Sequence, residues 1–213
     1  MDQFNVYKDM KARTNGEIYI GVVGPVRTGK STFIKRFMNL MVLPNIEDEN
    51  DRNRANDELP QSSSGKTIMT TEPKFVPNEA VSIKTEEGIE LNVRLIDCVG
   101  YMIDGAAGHM EEDAERMVKT PWSEEEIPFT QAAEIGTDKV MRDHSTIGLV
   151  ITTDGSIGEL PRSNYLGAEE KTILALKKSG KPFLVLVNSQ KPYSEETRQV
   201  AEEIGKKYDV AVM

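Results

Sequence analysis

Gly24-Pro25-Val26-Arg27-Thr28-Gly29-Lys30-Ser31 follows directly on the apolar run Ile18-Tyr19-Ile20-Gly21-Val22-Val23. The stretch fits G-x-x-x-x-G-K-[ST] at every specified position. It also has the setting that the motif needs: a strand, a tight turn, then a helix opened by Ser31-Thr32-Phe33. With glycine at about 7% of residues, a chance match in a chain of this size is expected about once in a hundred or more. Gly24 and Gly29 permit positive φ and let the backbone close round an anion. Gly24, Pro25, Val26, Arg27, Thr28, Gly29, Lys30, Ser31 and Thr32 are therefore the candidate nucleotide-binding set, with backbone N–H groups and the helix N-terminus facing the phosphates. Lys30 is expected to reach the β- and γ-phosphates as a point charge. The Ser31 hydroxyl is expected to complete the coordination of a Mg²⁺ that keeps most of its waters.

Working outward, strand-like runs fall at 18–23, 80–85, 90–96, 146–152, 183–187 and 210–213, and helical patterns at 32–41, 129–143, 164–178 and 195–207. From residue 129 onward the two types alternate, which argues for parallel pairing and an α/β sandwich. The exception is the pair 80–85 and 90–96, joined by a short Gly-containing link, which reads as an antiparallel hairpin. The expected fold is a three-layer α/β domain over 1–213, its sheet mostly parallel with one antiparallel edge strand. A short helix precedes it within 1–16. Two long polar stretches, 45–73 and 99–128, are longer than ordinary connections and read as switch-like loops or, in part, disordered inserts. The chain stops on a strand-like segment, which reads as a fragment of a longer protein.

Composition narrows the function. The chain has 213 residues and a 38% hydrophobic share, enough for one sizeable core. A formal net charge of -9 argues against an electrostatic grip on nucleic acid. The single cysteine, Cys98, makes no internal disulfide, which fits a reducing compartment, and its place at a strand end favours inert packing. No long apolar segment or secretory leader is evident, so a cytoplasmic location is expected. His109 and His144 lack metal-ligand spacing, the methionines read as core filler, and Trp122 reads as packed on the sheet.

The rest of a nucleotide site follows the first motif. Asp97-Cys98-Val99-Gly100 ends an apolar strand, where Asp97 is placed to hold Mg²⁺ and the Gly100 N–H to meet the γ-phosphate. Between the motifs, Thr70 and Thr71 are equal candidates for a metal-ligating γ-phosphate sensor. Two features depart from GTPases of this layout. Tyr101 stands where a water-orienting Gln is usual, so hydrolysis should be slow unless another group helps; Arg27 is one candidate, as an internal arginine finger, with a solvent-facing role as the alternative. Asn188-Ser189-Gln190-Lys191 stands where guanine readers carry Asn-Lys-x-Asp, so the carboxylate that pairs with guanine is missing and ATP becomes the better nucleotide. Asn188 then keeps a role in tying loops together.

The chain resembles the N-terminal nucleotide-binding domain of the stage IV sporulation protein A family, coat-morphogenetic ATPases of spore-forming Firmicutes. The resemblance is carried by residues 21–35, 57–61, 65–77 and 151–155 and by Asp97-Cys98-Val99-Gly100-Tyr101. It implies a translation-factor-related GTPase fold switched to ATP, with Lys30 as the phosphate-loop lysine, Asp97 as the metal-site aspartate and Thr70 and Thr71 as sensors. It further implies ATP-driven self-association into a shell on the forespore surface, within the mother cell. Partners implied are a small amphipathic membrane-bound sporulation protein and other coat proteins, reached through domains beyond this one. Two rivals stay open: a GTPase switch that reads guanine by unfamiliar residues, and an assembly protein that binds nucleotide without turning it over.

Overall fold

A computed structural model describes residue 12 and residues 14–60, 71–85, 88–106, 110–111 and 114–213. Most of the segment expected as an N-terminal helix, and Thr70 with the rest of 61–70, lie outside the described residues. The central sheet is built from β1 (Glu17–Val23), β2 (Lys74–Lys84), β3 (Glu90–Asp97), β8 (Ile147–Thr153) and β9 (Phe183–Asn188), in the order β2-β3-β1-β8-β9. Every neighbouring pair is parallel except β2 with β3, the antiparallel edge. The sheet is thus mixed as expected.

Alternation along each strand sorts side chains to two faces, because successive Cβ atoms point to opposite sides. Val22, Leu95 and Ile151 join a core with Ile34 and Met38 of α1 (Lys30–Phe37) and its continuing turn, and with Ala55 of α2 (Glu49–Asp57). Val23, Ile96 and Val150 join the opposite core, covered by α3 (Phe129–Lys139) and its continuation, α4 (Leu166–Ser179) and α5 (Glu195–Tyr208). The result is helices, sheet, helices, with both faces buried as parallel strands require.

Four expected boundaries shift. The edge strand starts at Lys74 rather than 80, because residues 74–76 continue the ladder opposite Leu95–Asp97 before an irregularity between Val76 and Val81. The stretch 45–73, expected as a loop, contains α2. Asp48 caps it by accepting the Asp51 N–H at 2.9 Å, so acids read as loop polarity are a helix start. The stretch 99–128 contains two small hairpins, β4 (Met110–Glu111) with β5 (Ala114–Glu115) and β6 (Met117–Thr120) with β7 (Ser123–Pro128). Trp122 sits at the turn of the second, below the Lys139 ammonium at the end of α3, rather than on the central sheet. Finally, 210–213 runs beside β9 as an isolated bridge, Val185 with Val212, and not as a full strand.

Candidate functional site

The phosphate loop is shaped by steric necessity at two glycines. Gly24 has φ 137°, and a Cβ there would stand 2.2 Å from the Ile151 carbonyl oxygen of β8. Gly100 has φ 93°, and its Cβ would stand 2.0 Å from the Gly24 carbonyl oxygen and 2.8 Å from Lys30 Nζ. The first loop is therefore wedged between the ends of β8 and β3, and only glycine lets all three backbones meet. The Val26 N–H donates to the Tyr101 carbonyl at 3.0 Å, which joins the two motifs through the main chain and engages that amide within the fold. The Val26 side chain and Thr28 are buried, the Thr28 hydroxyl donating to the Pro25 carbonyl at 3.0 Å.

Lys30 opens α1 and is buried, its Nζ donating to the Pro25 carbonyl at 2.6 Å and lying 3.4 Å from that of Gly24. Burial lowers its pKa, against the pull of Cys98 and Asp97. The Ser31 hydroxyl donates to Asp97 Oδ2 at 2.5 Å. Asp97 Oδ1 is buried without a hydrogen-bond partner, and burial raises the carboxyl pKa despite the Ser31 bond and the Lys30 charge. A desolvated, half-satisfied carboxylate beside a hydroxyl is a pair of hard oxygen donors. That donor set fits a Mg²⁺ bound through one or two protein oxygens plus phosphate. No cluster of three or more His, Cys, Asp or Glu suited to an all-protein metal cage occurs among the described residues.

The other expected residues are placed as follows. Thr71 is buried, its carbonyl against Gly136 of α3, three residues before Lys74, the register partner of Asp97. Arg27 is exposed at φ 63°, close enough for its charge to oppose the burial that raises the Tyr165 pKa. Cys98 is buried, and burial pushes its thiol to about 11, so it is a packing residue. Tyr101 is buried, its hydroxyl donating to Asp138 Oδ1 of α3 at 2.5 Å beneath the Lys171 ammonium, so its side chain enters the core.

Asn188 ties the far side of the site to the phosphate loop, its Nδ2 donating to the Thr28 carbonyl at 3.0 Å. Between them lies a cavity of ≈ 530 Å³ walled by Gly29, Thr32, Phe33, Arg36, Asn188 and Ser189 among others, a volume in the range of small-molecule sites. Sequence reasoning passed over two groups here. One is Asp154 with Ser156 and Thr197, hydrogen-bonded round residues 188–191. The other is Arg162, bidentate to buried Glu169 at 2.6 and 2.8 Å and within 3.1 Å of the Thr152 hydroxyl, which holds the end of β8. The polar run Thr152-Thr153-Asp154-Gly155-Ser156 directly after a buried strand was the available signal.

The whole chain, residues 1–213, matches the family model described as "Stage IV sporulation protein A, ATPase domain". It is similar to two proteins named stage IV sporulation protein A: 59% identical over 213 residues to that of Bacillus anthracis and 58% to that of Bacillus subtilis (strain 168). Each alignment covers 100% of this chain and 43% of the relative, so the chain spans under half the length of these relatives. Among solved structures, a dimerization-deficient mutant of Toc33 from Arabidopsis thaliana superposes with TM-score 0.48 at 10% identity, over 97% of this chain and 73% of that one.

Proposed function

The chain belongs to the stage IV sporulation protein A ATPase-domain family, and from that premise we propose that it binds and slowly hydrolyses ATP with Mg²⁺. The observation that carries the reading is the convergence of Lys30, Ser31 and Asp97, with a buried Asp97 oxygen left unpartnered. Ser31 and Asp97 are the residues that would hold the metal, joined by Thr71 or Thr70 from the switch-like segment. Bound there, Mg²⁺ neutralises charge on the phosphate oxygens. Lys30 turns from its loop carbonyls to the β- and γ-phosphates, and the Gly100 N–H meets the γ-phosphate. Phosphoryl transfer leaves the protein mainly positioning and electrostatics to supply. Turnover is slow because the side chain after Gly100 is committed to the core. ATP is favoured over GTP because 188–191 carries no carboxylate and nearby Asp154 has its oxygens engaged by Ser156 and Thr197.

The output of the reaction is a conformational change that exposes a self-association surface. The assembled protein forms the basement layer of the spore coat on the forespore surface, in the mother-cell cytoplasm, where it meets a small amphipathic membrane-bound protein and other coat proteins. Support for these roles is the family's sporulation name and the resemblance set out above. No helix among the described residues is long and apolar enough to cross a membrane.

The test is phosphate release by the purified protein with ATP or GTP, with and without Mg²⁺, beside Lys30→Ala. Mg²⁺-dependent ATP turnover that the variant lacks supports the reading, and a GTP preference overturns its base assignment. The inward Tyr101 favours one alternative, a protein that assembles with bound nucleotide and does not turn it over. Wild-type assembly by Lys30→Ala would make nucleotide dispensable and sink both.

A further inference from the structure

Residues 189–191 are tied to one carboxylate through two hydroxyls. Asp154 Oδ1 accepts the Ser156 N–H at 2.9 Å and the Ser156 hydroxyl at 2.6 Å, while Oδ2 accepts the Thr197 hydroxyl at 2.9 Å. Each hydroxyl carries the connection onward. Ser156 Oγ accepts the Gln190 N–H at 2.9 Å and lies 3.3 Å from Ser189 Oγ. Thr197 Oγ1 lies 3.0 Å from the Lys191 carbonyl and 3.0 Å from Ser189 Oγ, which itself accepts the Lys191 N–H at 2.9 Å. Three chain segments are joined this way: the exit of β8, the loop after β9 and the first turn of α5, whose cap Ser194 accepts the Thr197 N–H. Asn188 and Ser189 line the ≈ 530 Å³ cavity together with Gly29, Thr32 and Phe33.

We propose that Asp154 is the positioning residue of the nucleobase wall: through Ser156 and Thr197 it fixes residues 189–191 at a set distance from α1, so that it governs binding of the nucleoside and not of the phosphates. The inference rests on the ATP reading above. With both oxygens turned inward, Asp154 offers nothing to the paired N–H donors of a guanine edge, and a site built this way accepts a base that lacks them. The phosphates are held elsewhere, by Lys30, Ser31 and Asp97, and the bond from Asn188 to the Thr28 carbonyl links the two ends.

Two probes separate the ends: ATP, and inorganic tripolyphosphate, which has no nucleoside. Titrated calorimetrically with Mg²⁺, Asp154→Asn is expected to lose about tenfold in ATP affinity, since the amide cannot accept from both hydroxyls. Its tripolyphosphate affinity should stay within about twofold of wild type. Ser156→Ala, at an exposed position where folding is not at stake, should shift the same ratio about threefold. An unchanged ATP-to-tripolyphosphate ratio in both variants overturns the inference, as does an equal loss for both probes, which is what general loosening gives. Should wild type bind tripolyphosphate and not ATP, the ATP reading itself falls; wild-type ATP binding with an unmoved ratio sinks the role of Asp154 alone.

Discussion

Asp97 ends β3 and Asp154 follows β8, and their surroundings push the two carboxyls in opposite directions. Burial raises Asp97, with one oxygen on Ser31 and the other unpartnered. Burial works on Asp154 too, yet hydrogen bonds from Ser156, Ser189 and Thr197 outweigh it and hold that carboxyl at about 2. A carboxylate whose acceptors are filled by its own chain is a fastening. One left short of partners in a desolvated place is poised for a ligand, because an unmet buried charge costs more than a met one gains. On the proposed reading, the phosphate end is completed by its ligand, whereas Asp154 is already met by its own chain.

Breaking the phosphate end should give the largest effect. Lys30→Ala is expected to lower ATP turnover at least about a hundredfold, as removing a key electrostatic group from a phosphoryl or oxyanion site does. It should weaken ATP and tripolyphosphate alike, unlike changes at Asp154. Asp97→Asn should match it in turnover while thermal unfolding shows no fall in melting temperature, because the substitution removes a desolvated charge and keeps an acceptor for Ser31. A clear drop in melting temperature would mean that Asp97 is a fastening after all.

The second largest effect should come from the strut between the ends. Arg162 grips Glu169, whose side chain is 2% exposed, and both meet the Thr152 hydroxyl at the end of β8. Arg162→Ala leaves that carboxylate buried and unpaired, at a cost of about 3–5 kcal/mol, or a fall in melting temperature of roughly 6–20 °C for a domain of this size. The adjacent β8 carbonyl at Ile151 wedges Gly24, and Asp154 follows on the same strand exit. Affinities for ATP and tripolyphosphate should therefore fall together.

Legibility in the sequence divides along the same line. The phosphate end was readable because its chemistry needs fixed residue types at fixed spacing: glycines where backbones touch, Lys30 and Ser31 at a helix start, Asp97 at a strand end. The parallel pairing of β8 with β9 followed from the alternation of helices and strands after residue 129. The far end was read only by what it lacks, an Asn-Lys-x-Asp, because Asp154, Ser156, Ser189 and Thr197 come from three segments that only the fold brings together. The helix at Glu49–Asp57 was missed for another reason. With Ala55 as its one buried residue it has almost no apolar stripe, and its signal was the Asp48 cap alone.

Acid should sharpen the contrast more gently. Asp154 has its folded pKa depressed from 3.8 to about 2, so the stability it contributes is present above pH 3.8 and is lost as pH falls toward about 2. Asp97 has the opposite sign, its raised pKa favouring the protonated form in the folded state, so it opposes acid unfolding. In urea titrations repeated from pH 5 to about 2, Asp154→Asn is expected to flatten the decline in stability and Asp97→Asn to steepen it. Slopes that move the other way would reverse the roles assigned to the two carboxylates.

The smallest effect on turnover is expected where the sequence departs most visibly from a GTPase. Tyr101 occupies the place of the water-orienting Gln, but its ring lies in the core with its hydroxyl on Asp138 and the Lys171 ammonium 4.6 Å from the ring centroid. Its carbonyl is fixed by the Val26 N–H, so the position cannot swing toward the phosphates without breaking the link between the two motifs. Tyr101→Phe should therefore lose about 1.5–3 kcal/mol of stability, the worth of a hydrogen bond to a charged group, with turnover within about twofold. Tyr101→Gln should likewise bring no acceleration in the phosphate-release assay, since a carboxamide entering at this backbone geometry faces α3 and not the γ-phosphate. A gain of about tenfold or more would show that the segment after Gly100 reorients when nucleotide binds, and that the phosphate end is completed by its own chain as well as by its ligand.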